Sequence, residues 1–303
     1  MTRRPPWTVL GVPVDSIAPK AGGPRFGTER SPDALRACEL ASRLGARDLG
    51  DLDVRIVGAG RDQVTGIVGW PSVATVTSTI RRDVGAVLAG GGRPLLLGGC
   101  CSILMGAGAA VRDTRGRFAL AYVDGHLDMY DHVSSPTGEA ADMPLGALLG
   151  LGWPSLLATM GSEPVLAGAD VTVLGARDET EAADIGDLPG RLAVTVHGPA
   201  DIAEDPGGLA ESTRERFTAA GVPFWLHLDV DVLDESVFGA TDYLLPGGLD
   251  LSTLAELLRP LGRADSLLGA SVGCYNPDKD PDGSCAVALA DLLVDVLGDQ
   301  GRR

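Results

Sequence analysis

The sequence predicts an α/β protein in which helices cover both faces of an eight-stranded, mostly parallel sheet, giving three α/β/α layers. Short runs rich in β-branched residues alternate with helix-length segments along the 303 residues. The predicted strands are almost continuously apolar, which is typical of parallel strands that are buried on both faces. No internal repeat, low-complexity segment or linker interrupts this pattern, so we expect a single domain over residues 1–303.

The predicted elements follow from this alternation in chain order. The predicted strands are Thr8–Val12, Val54–Val57, Pro94–Leu97, Phe118–Val123, Asp170–Leu174, Leu192–Val196, Phe224–Val230 and Leu268–Val272. The predicted helices include Pro32–Leu44, Ser72–Ala89, Met143–Ala158, Gly208–Ala219, Leu251–Leu261 and Cys285–Leu297. Helix-length segments between most strands imply crossover connections and parallel pairing. In such sheets, functional residues gather at the C-terminal ends of the strands.

The composition indicates which partners and which location to expect. The formal net charge of −16 disfavours binding to nucleic acid or to an anionic membrane surface. No apolar run is long enough to span a bilayer, and the N-terminus lacks the apolar core of a signal peptide. The five cysteines are irregularly spaced, unlike those of a disulfide framework. We therefore expect a cytoplasmic protein that acts on a small molecule.

Two acidic clusters follow predicted strands and indicate a metal site. Asp124, His126 and Asp128 alternate after the fourth strand, so an extended backbone directs their side chains the same way. Asp229 and Asp231 share a face at the end of the seventh strand. Buried carboxylates that lack a partner are costly, and a divalent cation would relieve both their burial and their repulsion. The donors suit one or two Mn²⁺ ions per chain, with Zn²⁺, Fe²⁺ or Ni²⁺ as alternatives.

These clusters resemble motifs of the arginase (ureohydrolase) family. Asp124-Gly-His-Leu-Asp128 is similar to its Asp-Ala-His-x-Asp motif, and Leu228-Asp-Val-Asp-Val-Leu-Asp234 is similar to its Asp-x-Asp-x-x-Asp motif. Gly98-Gly-Cys-Cys-Ser102 resembles its Gly-Gly-Asp-His-Ser motif, with Cys101 in place of a metal-binding histidine. A cysteine at that position resembles the N-hydroxyarginine amidinohydrolase branch. The likeness continues in order over nearly the whole chain, as far as Tyr275-Asn-Pro277.

The resemblance implies an arginase-like fold, a two-manganese site and a homo-oligomer, either a trimer, a hexamer or a dimer. In the family, a metal-bridging hydroxide attacks a guanidinium or amidine carbon. The metal ligands implied by position are Cys101, Asp124, His126, Asp128, Asp229 and Asp231. Cys101 could instead be a packing residue, and a cysteine binds metal only as the thiolate. Because a thiolate is a soft donor, we expect the half of the site that includes Cys101 to bind manganese more weakly.

Departures from the family pattern affect the predicted catalytic groups. Ala141 replaces the family's catalytic histidine, which is a proton shuttle, and alanine cannot transfer a proton. The candidates for a catalytic role are Asp128, Glu139, Asp142 and His132. A solvated loop histidine without a role is an equally good interpretation of His132.

Other departures affect substrate recognition. Cys274 replaces the glutamate that binds the guanidinium group in the family, and the lost charge-assisted pair is worth roughly 1.5–3 kcal/mol. Thr180 and Ala183 replace the acidic residues that hold a substrate α-amino group. We therefore expect substrate contacts from Cys274, Thr137 and Thr180, and poor activity on arginine and agmatine.

Three functions remain open on the sequence alone. The first is a metal-dependent hydrolase that uses metal-bound hydroxide on a non-peptide C–N bond of a small guanidino, amidino or amide compound. The second is an enzyme of another reaction class in which Cys101 or Cys274 acts as a nucleophile. The third is a catalytically silent, metabolite-binding protein. The complete acidic clusters favour an enzyme, and we predict a hydrolase that acts on C–N bonds in linear amidines or related compounds.

Overall fold

The computed structural model describes residues 4–17, 27–58, 60–161, 163–178 and 185–298. The strands are β1 Trp7–Val12, β2 Arg47–Asp51, β3 Arg93–Gly98, β4 Ala119–Val123, β5 Val171–Leu174, β6 Thr195–His197, β7 Phe224–Asp229 and β8 Leu267–Gly273. They form one sheet in the order β2-β1-β3-β8-β7-β4-β5-β6. Every pair of neighbouring strands is parallel, which confirms the predicted sheet.

Helices connect most of the strands. The α-helices in the described part of the chain are α1 Ser31–Ala37, α2 Leu40–Leu44, α3 Ser72–Ala89, α4 Ile103–Arg115, α5 Pro144–Leu148, α6 Pro154–Met160, α7 Leu188–Arg191, α8 Pro199–Glu204, α9 Pro206–Ala219, α10 Leu251–Gly262 and α11 Ser284–Leu297. Among these described residues, no helix combines the length and the apolar character needed to cross a membrane.

The sheet separates two apolar layers. Along β4, Ala119, Ala121 and Val123 face one layer, whereas Leu120 and Tyr122 face the other. Residues of α1, α2 and α8–α11 pack in the first layer, and residues of α3–α6 pack in the second. This arrangement confirms the three-layer prediction. It also explains why the central strands are apolar at every position, since both of their faces are covered.

The predicted strand Val54–Val57 is wrong. The second strand is Arg47–Asp51, and its side chains are mostly exposed because it pairs with β1 at the edge of the sheet. An edge strand need not be apolar, so hydrophobicity alone did not indicate it. β6 also begins later than predicted, because α7 and a residue of positive φ, Ala193, precede it.

Two predicted helices are each divided into two. Pro32–Leu44 is interrupted where Glu39 takes a left-handed conformation with φ of 56°. Met143–Ala158 is interrupted between α5 and α6, where Gly150 and Gly152 have φ of 91° and 131°. In both cases, a local backbone turn overrides a helical hydrophobic pattern.

Candidate metal centre

Four neighbouring strands bring the sequence motifs together at one edge of the sheet. In the spatial order β3, β8, β7 and β4, their C-terminal ends lead to Cys101, Cys274, Asp229 and Asp124. Cys101 and Cys274 are 173 positions apart in the chain, yet their sulfurs lie 3.7 Å apart. The carboxyl edge of the parallel sheet therefore carries the polar side chains, as this architecture predicts.

The first set of donors, which we call the imidazole cluster, consists of Asp124, His126 and Asp231. His126 Nδ1 lies 3.0 Å from Asp231 Oδ2 and 3.6 Å from Asp124 Oδ1. The backbone fixes both carboxylates, because the His126 N–H donates to Asp124 Oδ1 and the Gly125 N–H donates to Asp231 Oδ1. Oxygen and imidazole donors of this kind suit Mn²⁺ and related divalent ions.

The second set, which we call the cysteine cluster, consists of Cys101, Cys274 and Asp229. Cys101 Sγ lies 2.6 Å from Asp229 Oδ2, to which it donates a hydrogen bond, and 3.6 Å from Asp124 Oδ2. The sequence indicated Cys274 as a substrate contact or as an alternative nucleophile, and its closeness to Cys101 was missed. Cys100 lies outside both clusters, because its sulfur contacts Ser16 Oγ at 2.7 Å.

The electrostatics of the two clusters favour a divalent cation. Asp124, Asp229 and Asp231 are all buried. Burial and the neighbouring Asp231 raise the pKa of Asp124 to about 6. Burial, Asp231 and Asp124 raise the pKa of Asp229 well above its usual range. Because crowded buried carboxylates resist ionisation in this way, positive charge bound among them would stabilise their ionised forms, so the donor set fits a metal ion.

His227 is a third buried group at this edge, and its partners fix its tautomer. Burial lowers its pKa to about 3, so the imidazole is neutral. Ser271 Oγ accepts a hydrogen bond from Trp225 Nε1–H at 3.0 Å and lies 2.7 Å from His227 Nδ1. Cys101 decides the tautomer, because its thiol proton is donated to Asp229 Oδ2 and its sulfur can only accept from His227. The ring proton therefore lies on Nε2, and Nδ1 accepts from the Ser271 hydroxyl. The Nε2 proton is directed at Cys101 Sγ, 3.2 Å away.

Asp128, a predicted metal ligand, belongs to neither cluster of described residues. Its φ of 49° is left-handed, and its Oδ2 accepts a hydrogen bond from the Tyr122 hydroxyl. Burial and nearby Asp124 and Asp128 raise the pKa of Tyr122 well above its usual range, so the phenol keeps the proton that it donates. The role of Asp128 as a ligand stays a prediction.

A cavity of about 310 Å³ lies over both clusters. Its described lining includes six carboxyl side chains and neither lysine nor arginine. The six are Asp128, Glu139, Asp142, Asp178, Asp229 and Asp231. Three residues that sequence reasoning singled out, Thr137, Ala141 and Cys274, also line it. Ala141, which replaces the family's catalytic histidine, therefore lies in the wall of the cavity.

Asp142 and Glu139 line this cavity with different hydrogen-bond partners. Asp142 Oδ2 accepts hydrogen bonds from Ser135 Oγ at 2.7 Å and Thr137 Oγ1 at 2.9 Å, whereas its buried Oδ1 accepts none from the described residues. Burial raises the pKa of Asp142 to about 7. Glu139 Oε2 accepts a hydrogen bond from the hydroxyl of Tyr243, a residue that the sequence gave no reason to select.

The remaining predicted residues lie elsewhere. The described lining of the cavity does not include His132, whose ring packs edge-on against Trp153 with the ring centres 5.1 Å apart. Thr180 and Ala183 lie outside the described residues. Tyr243 lies beside His126, with ring centres 6.1 Å apart, and no motif precedes it in the chain that could have indicated this position.

The family is decided by comparison with known proteins. A family model described as "Arginase family" matches residues 6–298, nearly the whole chain. This chain belongs to the arginase family. Members of the family are hydrolases that act on C–N bonds, so the chain is placed among enzymes of that class.

Individual arginases resemble the chain over its full length. It is 27% identical to the arginase of Bacillus caldovelox, with 97% of this chain and 99% of the relative aligned, and 28% identical to that of Bacillus subtilis (strain 168), with 95% and 97% aligned. The solved B. caldovelox arginase superposes with a TM-score of 0.88 at 25% identity, covering 98% of this chain and 99% of that chain. Proclavaminate amidino hydrolase from Streptomyces clavuligerus, at 21% identity and a TM-score of 0.70 with 96% and 90% covered, shares the fold.

Proposed function

We propose that the protein is a metal-dependent hydrolase that cleaves a C–N bond of a small, positively charged amidino or guanidino compound. The observation that carries this proposal is the cavity over the two clusters, whose described lining has six carboxyl groups and neither lysine nor arginine. Asp178 and Glu139 line the cavity and belong to neither cluster, so their carboxyl groups would face a cationic ligand beside the bound metal ions. Enzymes of the arginase family hydrolyse C–N bonds of amidino and guanidino compounds, whose charged groups are cations of this kind.

The residues of the imidazole cluster would hold one Mn²⁺ ion, and Cys101 with Asp229 would contribute to a second site. A divalent ion bound there would act as a Lewis acid and would lower the pKa of a water molecule well below its ordinary value. The chain itself supplies the binding site for the cation. Asp178 and Glu139 face the cavity, and the Tyr243 hydroxyl orients the Glu139 carboxylate through its hydrogen bond.

Proton transfer is assigned to Asp142 in this proposal. A general acid or base works best when its pKa lies near the operating pH, and burial raises the pKa of Asp142 to about 7. Ser135 Oγ and Thr137 Oγ1 both donate to Oδ2, whereas the buried Oδ1 accepts no hydrogen bond from the described residues. Asp142 thus provides a titrating group in the segment where Ala141 lacks one.

The alternative of a cysteine nucleophile receives no support. Burial and nearby Cys274 and Asp229 raise the pKa of Cys101 well above its usual range. The hydrogen bond with Cys101 lowers the pKa of Cys274, but burial and Asp229 outweigh it and the net shift is upward. A thiol must ionise to attack, so two protonated thiols are poor nucleophiles.

Arginine is a poor substrate under this proposal. Cys274 lines the cavity at the position where the arginase family has a guanidinium-binding glutamate, so one charge-assisted contact is missing. A loss of roughly 1.5–3 kcal/mol lowers affinity by about one to two orders of magnitude. Substrates with a further polar substituent on the amidino or guanidino group could contact Glu139 or Asp142 instead.

The test is a substrate panel with Mn²⁺-loaded protein, in which release of urea and ammonia is measured. The panel contains arginine, agmatine, N-hydroxyarginine and a series of amidino and formimino acids. We expect at least one non-arginine compound to turn over at roughly 1–10³ s⁻¹, the ordinary range for enzymes. Asp231→Asn should abolish this turnover, whereas Asp265→Asn, at an exposed surface carboxylate, should leave it unchanged. Efficient hydrolysis of arginine, or of no compound in the panel, contradicts the proposal.

Location and assembly are further parts of the proposal. We propose a cytoplasmic protein, and its five free cysteines are consistent with a reducing compartment. We also propose a homo-oligomer, on the basis of the resemblance to arginases, with no nucleic-acid or membrane partner. Light scattering on the purified protein tests the assembly, and a monomer at micromolar concentration would contradict it.

A further inference from the structure

The two clusters of the candidate metal centre differ in chemistry. The imidazole cluster offers oxygen and nitrogen donors, whereas the cysteine cluster offers two sulfurs and one carboxylate. Carboxylate and imidazole donors accommodate Mn²⁺, and thiolates select softer ions such as Zn²⁺. The two halves of the centre are therefore suited to different metals.

The spacing of the cysteine cluster matches a tetrahedral zinc site. Zn–S bonds of about 2.3 Å at the tetrahedral angle place two sulfurs roughly 3.8 Å apart, and Cys101 Sγ and Cys274 Sγ are 3.7 Å apart. Cys101 Sγ and Asp229 Oδ2 are closer, at 2.6 Å, because they share the thiol proton. Replacement of that proton by a metal requires this pair to separate by about 1 Å.

The backbone holds Cys274 in a strained conformation that directs its sulfur to Cys101. Its φ of 64° is left-handed, which costs a residue other than glycine roughly 1–2 kcal/mol. Its N–H donates to the Gly99 carbonyl at 2.6 Å, which ties the end of β8 to the loop that carries Cys101. Strain of this kind is concentrated at functional sites. Glycine would take this conformation without strain, so the presence of a cysteine at position 274 indicates that its sulfur has a function.

His227 supports a thiolate at Cys101. Its Nε2–H is directed at the Cys101 sulfur, and its other ring nitrogen is held by Ser271. A hydrogen bond to an ionised sulfur is about twice as strong as one between neutral groups. Partners that orient a ligand in this way typically change metal affinity by 10- to 100-fold when they are removed.

We propose that Cys101, Cys274 and Asp229 form a half-site that selects Zn²⁺, beside a half-site for Mn²⁺ at the imidazole cluster. The inference rests on the proposed function only for metal dependence. When Zn²⁺ binds, both thiol protons pass to the solvent, both sulfurs bind as thiolates and nothing is oxidised. Two thiolates and one carboxylate exceed the charge of the ion by one, and the His227 N–H faces that excess charge.

The test uses the full-length protein after metal removal, with Co²⁺ as a spectroscopic probe and Zn²⁺ and Mn²⁺ as competitors. Thiolate ligands give Co²⁺ a near-ultraviolet charge-transfer band that oxygen and nitrogen ligands do not. We expect one equivalent of this band, removed by Zn²⁺ but not by equal Mn²⁺. Cys274→Ser should remove most of the band and weaken Zn²⁺ binding by at least about 100-fold, since a direct ligand matters more than an orienting partner.

Cys100→Ser is the matched control, because Cys100 is equally buried and adjacent in sequence but contacts serines rather than the cluster. It should leave the band and the Zn²⁺ affinity unchanged. X-ray absorption of the zinc-loaded wild type, which needs no variant, should show two sulfurs at about 2.3 Å. A shell of oxygen and nitrogen alone, a band that survives Cys274→Ser, or equal displacement by Mn²⁺ would overturn the proposal.

The outcomes separate this inference from the proposed function. Hydrolysis of an amidino compound without the thiolate signature overturns the zinc half-site and leaves the hydrolase standing. The thiolate signature without hydrolysis of any panel compound supports the half-site and contradicts the hydrolase.

Discussion

Replacing Asp142 with asparagine should change how the stability of the protein depends on pH. Burial raises the pKa of Asp142 from 3.8 to about 7, so the folded state keeps a proton that the unfolded state releases. The contribution of Asp142 to the free energy of unfolding is therefore largest below pH 4, and this contribution is lost as the pH rises towards and through 7. A shift of about three pKa units corresponds to roughly 4 kcal/mol in total, of which about 2 kcal/mol falls between pH 5.5 and pH 8.

Asparagine mimics the protonated carboxyl group and does not titrate. The free energy of unfolding of Asp142→Asn, measured by urea denaturation relative to wild type, should rise by about 2 kcal/mol between pH 5.5 and pH 8. Asp131→Asn is the control from the same loop. Burial acts to raise the pKa of Asp131, but hydrogen bonds from Ser134 and Val133 lower it below its usual value, so its variant should show no trend in this range. The reasoning would be refuted if the difference in the free energy of unfolding between Asp142→Asn and wild type did not change with pH, or if both variants showed the same change.

Three more predictions concern the loop after β3, the metal centre and the cavity. Gly99→Ala should lower the free energy of unfolding by at least about 1–3 kcal/mol in urea denaturation. The reason is that a Cβ at position 99 would lie 1.6 Å from the Val14 carbonyl oxygen. The control is Gly85→Ala, which should be neutral or stabilising because a Cβ at this position inside α3 would make only ordinary contacts. Cys101→His should raise the manganese content at limiting Mn²⁺, measured by elemental analysis, since imidazole suits Mn²⁺ better than a thiol does; an unchanged content would mean that Cys101 only packs. Tyr243→Phe should raise KM for a cationic substrate about 10-fold and should have a smaller effect on kcat. The reason is that Glu139 loses the hydroxyl group that orients it. A change in kcat alone would contradict this prediction.

Most of the sheet could be predicted from the sequence because the central strands are buried on both faces. Runs such as Pro94–Leu97 have no polar face, and they match β3 closely. The edge strand Arg47–Asp51 could not be found in this way, since its side chains are largely exposed and its pairing with β1 depends on backbone hydrogen bonds. The break at Glu39 was also hidden, because a single residue of positive φ leaves little trace in a hydrophobic pattern.

The candidate site was predictable in part where candidate ligands follow one another in a motif. Asp124 and His126 come from one strand end, and the structure places them beside Asp231. Asp128, which the alternation grouped with them, lies outside this cluster because its backbone turns to a left-handed conformation. The contact of Cys274 with Cys101 joins two distant strands, so only the strand order reveals it. Tyr243 comes from a loop without regular structure, and its hydrogen bond to Glu139 depends on the path of that loop.

The central claim is that a divalent ion held by Asp124, His126 and Asp231 is required for hydrolysis of a C–N bond. The most direct measurement is a titration of the metal-free protein with Mn²⁺, in which bound Mn²⁺ is followed by electron paramagnetic resonance and hydrolysis of the best panel substrate is followed in the same samples. We expect activity to rise in proportion to the Mn²⁺ bound, and Asp231→Asn to lose both binding and activity while its circular dichroism is unchanged. Undiminished hydrolysis by the metal-free protein, or by Asp231→Asn, would contradict the account.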